Sequence, residues 1–335
     1  MAAITAHGLL GLIVARDRDA VLEAVMDLAG AEGLHAVIAV LADVQREVGQ
    51  RWQGQDWSVA EEHAATALAD LALAAAALGV PTAEPTHGSV VVTCAEEEWH
   101  VLPARMFAEQ LRAYGWDVTF LGASTPADHL GAYLARRTVV AGGLSCSVPV
   151  HLPGARRSIA AAHEAGVPVM AGGAGFGSTP ARALSVGADA WATSIDEAHL
   201  TASSWSRSSP PLAKPRDDRE QLALAGDRQA LVEAVTADLA AHDPAFRGYT
   251  PWQLKKTRED LDYIVRFVEA AVLTADDTVV HEFVRWLIPL LSVRGVPPEA
   301  VLLGIKSLRR HLPRCHESAA RLLEMAADLV TVRTA

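Results

Sequence analysis

The chain has 335 residues, half of them apolar, and a formal charge of -11. That length calls for two or three domains, since single cores rarely grow past about 250 residues, and the acidic balance argues against a general affinity for DNA or an anionic membrane, which would need a basic face. Cys94, Cys146 and Cys315 are widely spaced with no C-x-x-C, which disfavours a disulfide frame or zinc knuckle and fits a reducing cytoplasm.

Residues 1–82 carry apolar residues at helical spacing throughout, which predicts an N-terminal four-helix bundle. The opening MAAITAHGLLGLIVARDRD lacks a basic flank and a cleavage site, so it reads as the first helix and not as a signal peptide. ATALADLALAAAALGV contains Asp70 and stops at Pro81, too short and polar for a membrane span of about 20 residues. Ser58, with Glu61 three residues on, reads as a helix N-cap. Just around it lies RWQGQDWSVAEEH, residues 51–63, where Trp52 is followed after nine residues by the pair Glu62 and His63. A large ring, a carboxylate and an imidazole near one apolar surface suit either the end of a bundle or a lid over a flat ligand.

Over 83–204 the rhythm changes. SVVVTCA, DVTFLG, TVVAGGLS, VPVMAGG and ADAWATS are short apolar runs separated by helical stretches. Such alternation predicts a parallel sheet covered by helices, of α/β Rossmann-like (flavodoxin-type) design, with ligands at the carboxyl ends of the strands. Residues 205–219, rich in Ser, Pro and charge, read as a linker. From 220 to 335 the pattern is helical again, with breaks expected at Asp243-Pro244, Gly295 and Pro313, giving an all-α C-terminal bundle.

The first strand is followed by CAEEEWHVLP, which puts Glu98 and His100 in a loop facing the ligand crevice. A carboxylate two residues before a histidine can hold one ring N–H and leave the other nitrogen for a metal. The bland alternative is an exposed polar loop with an incidental histidine. Later strand ends offer Ser145 and Ser147, then Gly172 and Gly173, which let a long ligand approach the backbone and form hydrogen bonds. GGAGFG follows a late strand and does not match G-x-G-x-x-G, so it is not a dinucleotide fingerprint.

This order of helical cap, E-x-H at the first strand end, serines and Gly-Gly resembles the cobalamin-binding module over about residues 10–200. Members of that family usually read D-x-H-x-x-G, then S-x-L, then G-G; here Glu98, His100 and Pro103 stand in the first motif and Ser147 replaces the leucine. The resemblance implies that His100 is the lower cobalt ligand. The displaced dimethylbenzimidazole tail would then run past Ser145, Gly172 and Gly173. Trp52 spaced from Glu62 and His63 is similar to the signature of light-sensing cobalamin proteins, implying contacts from all three to the upper group of adenosylcobalamin. Gln53 stands where a histidine commonly follows the tryptophan in the light-sensing repressors, which argues against a bis-histidine state after illumination. Those repressors also carry a basic winged helix ahead of the cap, and no such segment is read here, so no DNA binding is expected.

The three-part order resembles photocobilins, which pair cobalamin with biliverdin. That resemblance implies a non-covalent bilin in the C-terminal bundle, where Tyr263, Arg266, His281, Arg285 and Trp286 offer cations, rings and polar groups at spacings of three to five. Arg309, Arg310 and His311 form a second basic cluster, and Cys315 reads as a spectator. The alternative for these residues is solvated faces and core. The resulting expectation is a cytoplasmic photoreceptor, not an enzyme, in which loss of the upper group repacks the cap and changes self-association, with a separate downstream effector. A methyl-corrinoid carrier of a methyltransferase system and a cofactor-free scaffold are the rival readings.

Overall fold

The structure, a computed structural model, describes residues 4–80, 84–242, 244 and 246–334; Pro81, the expected boundary at 82–83 and Asp243 of the expected break lie outside them. The cap is built from α1 (Ala6–Val14), α2 (Arg18–Glu32), α3 (Leu34–Gln53) and α4 (Val59–Gly79). Its helices pack closely because α4 turns inward Ala65, Ala69, Ala72, Leu73 and Ala76, mostly residues without bulk. Ser58 and Glu61 form the expected reciprocal cap at the start of α4. The short turn before it holds the end of α3, with Trp52, close to the start of α4, with Glu62.

The middle of the chain alternates β1 (Ser89–Cys94), α5 (Val101–Ala113), β2 (Asp117–Gly122), α6 (Ala127–Leu134), β3 (Ala141–Ser145), α7 (Leu152–Glu164), β4 (Val169–Gly172), α8 (Ala181–Ser185), β5 (Ala190–Trp191) and α9 (Ile195–Arg207). All strands pair in parallel, in the order β2-β1-β3-β4-β5. Val90, Val92 and Cys94 pack toward α5 and α9 beside Ala104, Ala108 and Ala198, while Val91, Leu144 and Val169 pack toward α6 and α7 beside Leu130 and Ile159. Burial on both faces explains the unbroken apolar run of β1. The strand order reverses between β1 and β3, so the ligand crevice of an open sheet lies beyond their carboxyl ends.

Helix α9 runs to Arg207, past the expected start of the linker, because Trp205 is buried in the cluster beneath it. The stretch that follows is pinned to the α/β domain. The Ala213 amide donates to Asp189 at 2.7 Å, the Arg216 amide to the Ser185 carbonyl at 2.9 Å, and Arg156 pairs with Asp218 at 2.6 Å.

The C-terminal bundle comprises α10 (Arg219–His242), α11 (Pro251–Thr274), α12 (Thr278–Val293), α13 (Pro298–His311) and α14 (Glu317–Thr334). Its core is continuous with that of the α/β domain: Val91, Leu144 and Ile159 belong to the same apolar cluster as Leu261, Val265, Val280 and Leu287. Arg182, only 2% exposed, reinforces that join with bonds to Asp276 at 2.7 Å, Thr278 at 2.8 Å and Glu282 at 3.0 Å. Among the described residues no helix is long and apolar enough to cross a membrane.

Candidate functional site

The loop after β1 is shaped by its backbone. The Ala95 amide donates to the Ser145 carbonyl at 2.9 Å, the Glu98 amide to the Ala95 carbonyl at 2.9 Å, and Glu97 adopts a left-handed φ of 70°. This turns the Glu98 side chain inward, where it is fully buried beneath a His100 side chain that stays 59% exposed. One carboxylate oxygen accepts from the His100 amide at 2.9 Å and faces its Nδ1 at 2.5 Å; the other accepts from the amides of Ser147 at 2.7 Å and Val148 at 3.2 Å.

Burial alone would push the Glu98 carboxyl up, but the bonds from the His100 ring and amide and the nearby imidazoles outweigh it and hold it down at about 2. An ionised carboxylate only accepts, so Nδ1 of His100 carries the proton and Nε2 is left as the free nitrogen. The bond to Glu98 raises the His100 pKa, with burial opposing and the charges of Glu98 and Glu62 adding to the rise. Cap residue Glu62 therefore lies within electrostatic reach of the loop histidine.

On the cap, Glu62 is half-buried and accepts from the Thr66 hydroxyl at 2.9 Å, while His63 is exposed and 3.5 Å from Glu62. The neighbouring Gln45 amide nitrogen is buried without a partner among the described residues. Trp52 stacks against Trp286 of the C-terminal bundle, with ring centroids 6.4 Å apart and planes 25° apart, and the Arg294 guanidinium lies 5.3 Å from its ring. Cap and bundle thus meet at Trp52.

Ser145 lines the same sheet face as Gly143 and Gly172, its register partner in β4. A Cβ on Gly143 would meet the Phe107 ring at 2.9 Å, so that position, between Val92 and Met170 on the same face, admits only glycine. Ser147 contributes its backbone amide to Glu98, a role that did not depend on its side chain. Gly173, at φ 103°, lies so near the Cys146 carbonyl that a Cβ would sit 2.5 Å from its oxygen.

In the C-terminal bundle the expected residues separate. Tyr263 and Arg266 on α11 approach the loop, since Arg266 bonds Glu97 at 2.9 Å and the Tyr263 hydroxyl, its pKa raised by burial, also feels Glu98. His281 and Arg285 on α12 are exposed. The second basic cluster is partly neutralised: Arg310 pairs with Asp238 at 3.0 Å and the His311 ring meets the Ser307 carbonyl at 3.0 Å.

Sequence reasoning missed three contributors. A Cβ on Gly154 would sit 2.1 Å from the Glu96 carbonyl oxygen, so α7 can press against the ligand loop only with glycine there. His151, in the turn before α7, has a buried Nδ1 without a partner among the described residues, and burial lowers its pKa. Arg182 was one arginine in an unremarkable ARALS helix. Only the glycine inside a helical pattern offered a signal.

These residues fit a flat metal macrocycle. Among the described residues no group of three or more His, Cys, Asp or Glu could hold a metal ion. The donor available is a single oriented imidazole, the axial type of ligand for a metal held by its own ring. The buried Gln45 amide nitrogen and His151 Nδ1, without hydrogen-bond partners among the described residues, are polar groups that a bound macrocycle could satisfy.

Residues 88–200 match the family described as B12 binding domain, and residues 5–76 match a second family of the same description. Over 111 residues the chain is 36% identical to the HTH-type transcriptional repressor CarH of Myxococcus xanthus, covering 33% of this chain and 36% of that protein. The alignment thus spans about a third of that curated relative's length. The Methanosarcina barkeri monomethylamine corrinoid protein shares the fold, with a TM-score of 0.50 at 19% identity over 58% of this chain and 95% of that one. A cobalamin-binding protein from Desulfitobacterium hafniense DCB-2 aligns over 60% of this chain and 98% of that one, at 18% identity and a TM-score of 0.32. With one family match on the cap, the other on the α/β domain and an oriented histidine where they meet, this chain is a cobalamin-binding protein.

Proposed function

We propose that the chain is a light sensor that holds adenosylcobalamin between His100 and the cap. Adenosylcobalamin supplies a cobalt–carbon bond that green or blue light breaks. Glu98 orients the His100 ring through Nδ1, so that Nε2 would be the protein's donor to the cobalt, and Trp52, Glu62 and His63 of the cap would cover the bound cofactor. Without an upper group Trp52 and Glu62 would keep their protein neighbours, Trp286 and Thr66, but lose the contact on the ligand side, and the cap would repack, because closely packed interfaces settle into alternative arrangements more readily than they deform. The output is a change in self-association read by a separate effector in the cytoplasm, without DNA or membrane contact by this chain. The observation that supports this reading most is the oriented Glu98–His100 pair at the start of α5, a helix whose Leu102 and Met106 pack into the core of the cap.

Biliverdin, bound non-covalently, is the second cofactor of this reading, carried on α11 and α12, where Trp286, Phe283 and Tyr263 form an aromatic run with neighbouring rings 6.2 and 6.3 Å apart and Arg266, Arg285 and His281 are the groups that its propionates and pyrrole nitrogens would call on. The test is reconstitution in darkness with each cofactor, absorption spectra before and after green light, and a sizing column on both samples. Light-dependent change of colour and of elution volume is expected; His100→Ala loses the histidine-ligated spectrum. A cobalamin complex indifferent to light, but active in methyl transfer with a partner enzyme, would establish instead the methyl-corrinoid carrier reading, which the fold shared with the monomethylamine corrinoid protein accommodates equally.

A further inference from the structure

Trp52, a roof residue of the cap, is gripped from outside the cap. It ends α3, half-buried, with the Trp286 ring on one side and the Arg294 guanidinium nearby. Trp286 is itself fixed by a further ring, Phe283, at 6.2 Å, and Phe283 stacks on Phe267 at 3.8 Å. Arg294 is anchored through a bond to the Leu290 carbonyl at 2.9 Å. The same bundle holds the ligand loop through Arg266 and Glu97. Helices α11 and α12 therefore grip both the roof and the floor of the crevice.

We propose that Trp286 and Arg294 are positioning residues for Trp52: by fixing the indole above the site, the C-terminal bundle sets which upper-face ligand the cobalamin site accepts. This rests on the reading of the cap as the roof over bound cobalamin. An indole stacked on a rigid ring and facing a cation has few orientations open to it. Releasing it widens the space above the site and removes a preference among upper groups, while the His100 side is untouched.

The test compares the full chain with Trp286→Ala, Trp286→Phe and Arg294→Gln, without biliverdin and in darkness, titrating adenosyl-, methyl- and hydroxocobalamin by absorbance. Trp286→Ala is expected to reduce the ratio of adenosyl- to hydroxocobalamin affinity by about tenfold, the size of a lost aromatic pair. Arg294→Gln, on an exposed side chain, reduces it by roughly threefold. Trp286→Phe recovers most of the loss, and the histidine-ligated spectrum persists in all variants. An unchanged ratio in both Trp286→Ala and Arg294→Gln overturns the proposal, as does an equal loss of all three cobalamins, which would mark a purely structural role. A wild-type chain that binds no cobalamin overturns the underlying reading, a result that no comparison among variants can imitate.

Discussion

Arg266 of α11 reaches across to Glu97, 169 residues earlier in the chain, and bonds its carboxylate at 2.9 Å. Glu97 precedes the buried Glu98, so a helix of the C-terminal bundle holds the loop that carries His100. Glu97 is more than half exposed and also meets Arg157 at 3.3 Å, so the pair contributes little to global stability, about 0.5 kcal/mol. Its effect belongs to loop position. Arg266→Glu, which places two like charges together, is expected to raise the cobalamin off-rate severalfold. The exchange Glu97→Arg with Arg266→Glu restores it, as measured by displacement of labelled cobalamin.

Glu98 accepts four hydrogen bonds in a fully buried position. Glu98→Ala strands the amides of Ser147 and Val148 and frees the His100 ring, at a cost of about 3 kcal/mol in chemical denaturation. Glu98→Gln keeps the shape and loses less. Both weaken histidine ligation in the absorption spectrum of the hydroxocobalamin complex.

Arg182 joins the α/β domain to α12 from a nearly dry position, with two carboxylates as partners. Arg182→Ala leaves Asp276 without its ion pair and opens a void under the Gly173 loop, because the side chain also donates to the Gly175 carbonyl. A loss of about 3 kcal/mol is expected. Since the two domains share one core, denaturant unfolding of the wild type is a single transition, and the variant splits it in two.

Asp260 on α11 has its carboxyl pushed up from 3.8 to about 6 by burial, with Lys256 and Arg294 opposing. The folded chain holds the proton more tightly than the unfolded one, so stability falls as pH rises from about 4 through 6 and the penalty is complete above that. Partial solvent access reduces it to about 1 kcal/mol. Asp260→Asn should therefore raise Tm at pH 7.5 by a few degrees and leave it unchanged at pH 4.

Burial pushes the Cys94 thiol up to about 12 and raises Cys146 well above its ordinary value, whereas Cys315 is exposed. Ellman's reagent on the folded chain is expected to react quickly at Cys315 alone, and Cys315→Ser removes that fast phase. Denaturation exposes the other two thiols.

Local rules in the sequence determined the elements. Apolar spacing marked the cap and C-terminal helices, alternation marked a parallel sheet, and Ser58 with Glu61 marked the start of α4. The chemistry of E-x-H was also legible, because Glu98 and His100 are two residues apart and their bond is local. Three-dimensional packing alone decided that Trp52 meets Trp286, that Arg266 meets Glu97, and that Arg182 closes the join between domains. Each of those contacts links residues more than 90 positions apart. A side chain's type states what it can bond; which partner it finds depends on how two cores, folded from distant segments, fuse into one.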